Sequence, residues 1–352
     1  MDYDKVVLIR TDGNTNIASG HLVRCITIAQ AVLKLGGRVH FVVSDTESER
    51  ELMRRLESVK NKAGIEITVL GTDYQNLEQE LPLLNALLAE QPEAVLLLDT
   101  YSVTPYYMRE VSKQVKVFYL DDLQLFDSPV ECVINYDVQV DASFYQSAKC
   151  VYLEGNYAPL REQFADCDYE VREYACDLFL TTGGTDPERF CEKFVRYFWQ
   201  QEDAKDWRIH LIVGSMFLNK EALKDFADNE KRLILYENVE NMAEVMAGCD
   251  LAVSAGGTTL FELCAIGVPT LSISISSNQV PCNEAFAKKG ILAYEGHVSM
   301  DDLKQDSLIK HMYAKVMELG SNLSERQQMS LRQKKAVDGR GAERIASLLL
   351  CQ

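Results

Sequence analysis

The sequence lacks several features that mark secreted, membrane-spanning or metal-binding proteins. None of its ten cysteines forms a CxxC pair, and we expect them to be reduced thiols, many of them buried. No apolar run approaches the roughly 18 to 20 residues that span a bilayer. The first residues show no basic and apolar leader, so we expect a cytoplasmic location. Internal repeats, low-complexity tracts and long like-charge runs are also missing from the sequence.

Positive charge is scarce. The chain has 36 lysines and arginines against 53 aspartates and glutamates, which gives a formal net charge of −17. Nucleic acids and anionic membrane surfaces are bound through basic patches, so we expect neither as a partner. A phosphorylated ligand would have to be held by local dipoles and a few cations.

The length and the order of patterns predict two α/β domains. With 352 residues, the chain suits two domains of roughly 150 to 180 residues each. Strand, turn and helix patterns alternate in the first half and begin again near Asp177. We place the domains at 1–165 and 166–352, with the last helix packing back on the first domain. Asp166-Cys167-Asp168 has the spacing of a metal-binding DxD motif, but in an acid-rich linker we attribute it to chance and expect no metal and no cofactor.

The stretch Asp250 to Gln279 predicts an anion site. A short apolar strand is followed by a turn of small residues and then by a helix; the turn contains Gly256, Gly257, Thr258 and Thr259. Such a turn directs backbone N–H groups and the positive end of the helix dipole at an anion, most simply a phosphate. A second strand ends in the polar loop with Asn278 and Gln279. Ligands of open α/β sheets bind at the carboxyl ends of strands, so both loops are expected to line one crevice.

Glu262 allows two interpretations. It lies three residues after Thr259, the spacing of a capping box, so its carboxylate can satisfy a backbone N–H at the helix start. Alternatively, it contacts the ligand.

The first half opens with a similar strand, loop and helix start. Lys5 to Arg10 is a short β-branched run, Thr11 to Gly20 is a polar loop, and His21 begins a helix that reaches Leu35. A histidine in the first turn of a helix is held neutral by the dipole and is able to accept a proton. The alternative is a surface or capping histidine.

Three more strand ends carry polar residues. The apolar run Ala94 to Leu98 delivers Asp99 and Tyr101 as candidate ligand contacts, although such an aspartate is as often a turn or helix cap. The next strand ends in Asp121-Asp122, whose side chains should point to opposite faces and therefore not act jointly. In the second half, Gly183, Gly184 and Thr185 follow a strand and are expected to form a second anion-facing turn, with a helix from Glu188 to Gln200.

These residues together resemble a known family. Arg10 to Cys25, RTDGNTNIASGHLVRC, resembles the R-x-D-x(4)-I-x-x-G-H-x-x-R signature of the UDP-2,4-diacetamido-2,4,6-trideoxy-β-L-altropyranose hydrolases of pseudaminic acid biosynthesis, which are grouped with spore-coat polysaccharide proteins. The likeness continues in Asp99-Thr100-Tyr101, Asp121-Asp122, the segment 157–164, Gly183-Gly184-Thr185-Asp186 and Asn278-Gln279. The C-terminal glycine loop is shared with UDP-sugar glycosyltransferases of GT-B fold.

The resemblance implies a GT-B-like α/β architecture, in which two Rossmann-like domains face each other across a cleft. UDP would be held mainly by the second domain and the sugar would face the first. His21 would be the catalytic histidine, with Tyr101 near the sugar, Glu262 on the ribose, and Asn278 and Gln279 on sugar or phosphate. The remaining implied substrate contacts are Asp12, Gly20, Arg24, Asp99, Gly183, Gly184, Thr185, Gly256, Gly257, Thr258 and Thr259.

The implied chemistry is hydrolysis of a UDP-linked 2,4-diacetamido-2,4,6-trideoxyhexose with inversion. UDP is a good leaving group, so the main need is to stabilise charge on the β-phosphate, which the helix starts near Gly256 and Thr185 would do without metal. His21 would take the proton of the attacking water, a contribution of roughly 100 to 10,000-fold. Two alternatives stay open: a glycosyltransferase that uses an acceptor hydroxyl, and a non-catalytic nucleotide-sugar-binding protein.

Overall fold

The structure is a computed structural model that describes residues 5–14, 17, 20–57, 59 and 63–351. It divides into two compact units. The first contains the described residues up to Arg161 together with those from Arg340 onward, and the second contains Glu162–Gly339. The chain therefore passes to the second unit four residues before the boundary drawn from the sequence, and the last helix belongs to the first unit. Part of the predicted loop from Thr11 to Gly20, residues 15–16 and 18–19, lies outside the described residues.

The first unit is built on a parallel sheet. Within the described part of this unit the sheet has seven strands in the order β3-β2-β1-β4-β5-β6-β7. The strands are β1 (Val6–Thr11), β2 (Arg38–Val43), β3 (Ile65–Val69), β4 (Val95–Asp99), β5 (Lys116–Leu120), β6 (Cys132–Asn135) and β7 (Cys150–Leu153). The helices that accompany them are α1 (Gly20–Lys34), α2 (Thr46–Leu56), α3 (Leu81–Ala89) and α4 (Pro105–Ser112), with 3₁₀ turns at Leu77–Glu80, Ala142–Phe144 and Gly155–Tyr157.

The second unit repeats this plan. Its sheet is parallel, with the order β10-β9-β8-β11-β12-β13. The strands are β8 (Asp177–Thr181), β9 (Arg208–Ile212), β10 (Leu233–Tyr236), β11 (Leu251–Ala255), β12 (Thr270–Ser274) and β13 (Ala293–His297). The helices are α5 (Phe190–Phe198), α6 (Lys220–Asn229), α7 (Met242–Ala247), α8 (Thr258–Ile266), α9 (Val280–Lys288), α10 (Asp302–Ser321) and α11 (Leu323–Ala336), with 3₁₀ turns at Glu162–Phe164, Glu202–Ala204 and Ser277–Gln279.

The strand order places one crevice in each unit. In the first sheet the order reverses between β1 and β4, and Thr11 pairs with Asp99 at the carboxyl ends of these strands. In the second sheet the order reverses between β8 and β11, where Ser254 pairs with Thr181. The loops that leave two such strands turn to opposite sides of the sheet, which opens a ligand-binding crevice at that point.

A helix from the far end of the sequence completes the core of the first unit. The helix α12 (Gly341–Leu350) packs against α1, and the side chains of Ile345, Ala346, Leu349 and Leu350 are buried in the core of the first sheet. Burying a large aliphatic side chain stabilises a fold by roughly 1.5 to 3 kcal/mol. This helix is therefore a major part of the stability of the first unit.

Several elements differ from the sequence-based expectation. The apolar residues of 77–90 recur at helical spacing and predict an amphipathic helix that Pro82 kinks or restarts. In the structure this segment is a 3₁₀ turn followed by α3, because Pro82 fits the first turn of a helix and not its interior. The helix predicted from Glu188 begins at Phe190, since Arg189 adopts a left-handed conformation with φ of 54°. Among the described residues, no helix is both long and apolar enough to cross a membrane.

Candidate active site

His21 lies in the first turn of α1 at the crevice of the first unit, and its ring is almost fully buried. Its Nδ1 is 2.7 Å from Oδ1 of Asp99, the last residue of β4. Sequence reasoning placed both residues at strand ends, and the structure joins them. The imidazole is thus held by a carboxylate and is not a surface or capping group.

The contact with Asp99 defines the tautomer of His21. An ionised carboxylate only accepts hydrogen bonds, so Nδ1 carries the proton and donates it to Asp99. The lone pair of the imidazole is then on Nε2, the arrangement in which a histidine acts as a general base. Arg24 Nη2 also lies 3.1 Å from Nδ1, but a guanidinium cannot accept and a protonated Nδ1 has no lone pair, so we treat this as a contact only.

Arg24, one helical turn after His21, keeps Asp99 ionised. Its Nε donates to Asp99 Oδ2 at 2.6 Å, and its Nη2 donates to Asp99 Oδ1. Burial alone would raise the pKa of Asp99, but Arg24 and the hydrogen bond from His21 outweigh burial and hold the pKa well below its usual value. The predicted substrate contact Arg24 is therefore engaged by protein carboxylates.

Tyr101 packs against His21. The two rings meet edge to face, with centroids 4.4 Å apart and planes at 78°. The Tyr101 hydroxyl donates to Asp122 Oδ2 at 3.2 Å, and Arg24 Nη1 donates to the same oxygen at 2.6 Å. Partial burial and the facing Asp122 carboxylate raise the pKa of Tyr101 to about 12, so its phenol is neutral at physiological pH.

A small cavity, open to solvent, adjoins this cluster. Its lining consists of Asp12, Ile17, His21, Tyr74, Asp99, Thr100, Tyr101 and Ser102. Five of these residues carry polar groups at the ends of β1 and β4, namely Asp12, Asp99, Thr100, Tyr101 and Ser102. Tyr74 follows β3 and was missed by sequence reasoning. Gly20 is exposed at the start of α1, and a Cβ placed on it would meet no atom within 4 Å.

Asp12, a predicted substrate contact, belongs to a buried ion-pair network behind the cavity. Its Oδ2 accepts from Arg10 at 2.6 Å, and its Oδ1 accepts from the backbone N–H of Ser44 at 2.7 Å. Arg10 also donates twice to Glu80, at 2.8 Å each. Asp12 thus connects β1 to the end of β2 and shapes the cavity wall through its position in that network.

In the second unit, the turn from Gly256 to Thr259 leads into α8. Its cap residue is Gly257, which has φ of 128° and no side chain that could accept from the first amide groups of the helix. The first helical turn contains no acidic residue. Because the opening N–H groups of a helix have no acceptor within the helix, those of Thr258 and Thr259 are suited to an anion.

Gly256 is required by close packing. A Cβ at this position would lie 2.4 Å from Asn283 Nδ2 and 2.9 Å from Gln279 Cβ. Gln279 uses its Oε1 to accept from the N–H of Ile275 at 2.9 Å, so its side chain closes its own loop. Asn278 is exposed, and its Oδ1 accepts from Ser276 Oγ at 2.6 Å.

Glu262 is not part of a capping box. With Gly257 as the cap, the third helical position is Leu260, and Glu262 is the fifth residue of α8. Its side chain is half-buried on the helix that follows the glycine turn. The capping-box spacing counted from Thr259 therefore does not apply, because α8 begins at Thr258.

The turn at Gly183 to Thr185 offers less than predicted. Gly183 has φ of 84°, which favours glycine, and Gly184 is exposed. However, α5 begins five residues after Thr185, and its first two amide groups donate to the carboxylate of Asp186, at 2.9 and 3.0 Å. The opening amide groups of the helix that was expected near Thr185 are therefore bound by the carboxylate of Asp186. Only the turn itself remains as a candidate anion contact.

The described residues contain one group with metal-ligand spacing, formed by Cys176, Asp177 and Asp250. Its carboxylates already have protein partners. Asp250 accepts from the N–H groups of Cys176 and Asp177 at 2.8 and 2.9 Å and from Arg172 at 2.6 Å. Asp177 in turn pairs with Arg208 at 2.7 Å. The cluster joins β8 to the start of β11 through these contacts.

Comparison with known proteins gives one family match and several relatives. Residues 178–341 match the glycosyltransferase family 28 C-terminal domain. An uncharacterized protein of Methanocaldococcus jannaschii is 21% identical over 304 residues, 80% of this chain and 58% of that protein. The spore coat polysaccharide biosynthesis protein SpsG of Bacillus subtilis is 26% identical over 68% of this chain and 72% of its own length. The UDP-2,4-diacetamido-2,4,6-trideoxy-beta-L-altropyranose hydrolase of Campylobacter jejuni is 24% identical over 81% of this chain and 97% of its own length.

Solved structures show the same fold. MurG of Acinetobacter baumannii aligns with a TM-score of 0.69 over 99% of this chain and 100% of that chain, at 13% identity. A UDP-GlcNAc 2-epimerase of Neisseria meningitidis, bound to UDP-GlcNAc, aligns with a TM-score of 0.64 over 99% of this chain and 100% of its own, also at 13% identity. The predicted GT-B-like class, with two Rossmann-like units, is confirmed.

Proposed function

We propose that this chain is an enzyme that hydrolyses a UDP-linked 2,4-diacetamido-2,4,6-trideoxyhexose and releases UDP, in the biosynthesis of a nonulosonic acid of the pseudaminic type. The observation that carries the proposal is the pair of His21 Nδ1 and Asp99 Oδ1, 2.7 Å apart, which leaves the basic lone pair on Nε2. The similarity to the Campylobacter jejuni hydrolase supports the choice of sugar.

In the proposed reaction, water attacks the anomeric carbon on the side opposite UDP. The new bond joins the water oxygen to the anomeric carbon, the bond from that carbon to the β-phosphate oxygen breaks, and the configuration is inverted. His21 Nε2 takes the proton of the water. Asp99 keeps the ring oriented and balances the imidazolium that forms, a role that requires it to stay ionised.

In this scheme, the second unit binds UDP. The opening amide groups of α8 at Thr258 and Thr259 are donors for the diphosphate, and they stabilise the charge that grows on the β-phosphate as it leaves. We assign Glu262, half-buried on the same helix, to the ribose, and Asn278 and Gln279 to the sugar and phosphate side of the site. No step in this scheme uses a metal or a cofactor.

The test uses purified protein, a panel of UDP-sugars, ¹⁸O-labelled water and no acceptor. We expect UDP release with one labelled oxygen at the anomeric carbon. His21→Asn should abolish turnover, while UDP affinity, measured by calorimetry, stays close to wild type because the proposed diphosphate contacts are in the other unit. His40→Asn is the matched control, since His40 lies in β2 with its nitrogens near Thr68 and Gln91 and outside the cavity. Full activity of His21→Asn would remove the proton-transfer role.

Glycosyl transfer is the second candidate. It is favoured by the match of residues 178–341 to a glycosyltransferase domain. A transferase would release UDP only after a sugar or lipid acceptor is added, and the labelled oxygen would not appear at the anomeric carbon. UDP-sugar binding with no release under either condition would indicate a non-catalytic binding protein.

A further inference from the structure

The two aspartates that follow β5, Asp121 and Asp122, make contacts on opposite sides of the chain. Asp121 fixes the turn, because its Oδ1 accepts from the N–H groups of Leu123 and Gln124 at 3.1 and 2.9 Å. Its Oδ2 accepts from the hydroxyl of Tyr145 at 2.9 Å. The carboxylate of Asp121 is therefore used to hold the local backbone. The side chain of the next residue, Asp122, points to the opposite side of the chain.

Asp122 points at the His21 cluster. One of its oxygens, Oδ2, accepts from Arg24 at 2.6 Å and from Tyr101 at 3.2 Å. Its side chain is 24% exposed, whereas Asp99 on the other side of Arg24 is completely buried. The guanidinium thus lies between two carboxylates, one attached to the imidazole of His21 and one attached to the phenol of Tyr101.

We propose that Asp122 is a positioning residue of the His21 site, and that it acts by holding the Tyr101 ring against the imidazole. The argument rests on the edge-to-face contact of the two rings at 4.4 Å and on the single hydroxyl that joins Tyr101 to Asp122. Tyr101 is 48% exposed, so packing alone leaves its ring free to rotate out. The hydrogen bond to Asp122 removes that freedom.

The hydrogen bond from Tyr101 to Asp122 also determines which hydrogen bonds Tyr101 can form with a substrate. A hydroxyl has one proton and two lone pairs, and here the proton is directed to Asp122. The lone pairs of the Tyr101 oxygen are then available to accept from a donor such as the N–H of an acetamido group or a sugar hydroxyl. Tyr101 therefore accepts a hydrogen bond from the substrate and packs its ring against it, whereas His21 carries out the proton transfer. This inference rests on the proposed function, since it refines the site of that reaction.

The first measurement is independent of turnover. The chain has five histidines, so imidazole ¹H–¹³C correlations of protein labelled at the histidine rings give a short set of signals, and His21→Asn identifies the signal of His21. The Tyr101 ring at 4.4 Å shifts that signal by its ring current. In Asp122→Ala, which removes the acceptor, we expect the His21 signal to move toward its position in Tyr101→Leu. Asp141→Ala, at an exposed aspartate that accepts from the backbone of Ser143, is the control and should leave it in place.

The second measurement is kinetic. A misplacement of a catalytic group by about 1 Å costs on the order of 100-fold, so Asp122→Ala should lower kcat by about 10- to 100-fold with a smaller change in KM. Because Asp122 acts through Tyr101, Asp122→Ala combined with Tyr101→Phe should be no slower than Tyr101→Phe alone. If the wild type turns over UDP-sugars but Asp122→Ala matches it in rate and in the His21 signal, the positioning role is wrong and the function stands. If the wild type shows no turnover while the His21 signal still moves, the proposed function fails and the positioning role stands.

Discussion

Replacing Asp99 with asparagine should destabilise the first unit and leave the second unchanged. Asp99 is completely buried and accepts from His21, from Arg24 and from the thiol of Cys25 at 3.2 Å. Removing one partner of a buried ion pair typically costs about 3 to 5 kcal/mol, because the other charge is left uncompensated. Arg24 keeps Asp122 and Tyr136 as partners, so we take the lower end, about 3 kcal/mol.

The two units can be observed separately. Both tryptophans, Trp199 and Trp207, belong to the second unit, so tryptophan fluorescence follows its unfolding while far-ultraviolet circular dichroism follows both units. With a urea m-value of about 2 to 3 kcal/mol per molar, a loss of about 3 kcal/mol lowers the midpoint by about 1 to 1.5 M. We expect this shift in the part of the circular dichroism transition that comes from the first unit, whose unfolding tryptophan fluorescence does not detect. A midpoint within about 0.2 M of wild type would refute the reasoning.

The effect should depend on pH. The folded-state pKa of Asp99 is depressed, so its stabilisation is present above the ordinary carboxyl pKa of about 4 and is lost as the pH falls toward the folded-state value. The difference in unfolding free energy between wild type and Asp99→Asn should therefore be larger at pH 7 than at pH 3.5. Asp141→Asn serves as the control, because Asp141 is exposed and lies outside the cluster.

Two further predictions concern a glycine turn and a phenol. Gly183→Ala should destabilise the second unit by about 1 to 2 kcal/mol, because φ at this position is 84°. Gly184→Ala is the control and should fold normally, since its added Cβ would lie at an ordinary 3.5 Å from Met216. Equal midpoints of the fluorescence transition for the two variants would contradict this prediction. Tyr101 should ionise near pH 12 in an ultraviolet difference titration of wild type against Tyr101→Phe, and its contribution to stability should be present below the ordinary phenol pKa of about 10 and be lost as the pH rises through 12. A difference signal at pH 10 would contradict the Asp122 contact.

The sequence predicted the strand ends better than the contacts between them. The patterns around His21 and Gly257 are local, and α1 and α8 begin within two residues of the starts expected from them. The partnership of His21 with Asp99 spans 78 residues, and it follows from strand order, which brings β1 and β4 side by side. Tyr136 was missed because β6, the strand before it, is only four residues long and was not recognised.

Some contacts around the predicted site residues could not be foreseen from the sequence. Asp186 was assigned to the resemblance motif, and no pattern showed that it would accept from both opening amide groups of α5. Asp12 has the position of a ligand contact, but it pairs with Arg10, two residues before it in the sequence. Glu80, the other carboxylate that accepts from Arg10, is 70 residues away from Arg10. Buried ion pairs of this kind depend on tertiary packing, which a single sequence pattern does not contain.

The placement of α12 has a consequence for biosynthesis of the chain. The second unit is continuous in sequence, so a ribosome translates all of it before residue 340, whereas the first unit is completed only by a helix that is translated after the second unit. Until then, the surface of α1 that later receives Ile345, Leu349 and Leu350 faces water in the nascent chain. Although most of its residues are translated before the second unit, the first unit can complete its core only afterwards, and in that interval we expect chaperones to bind it.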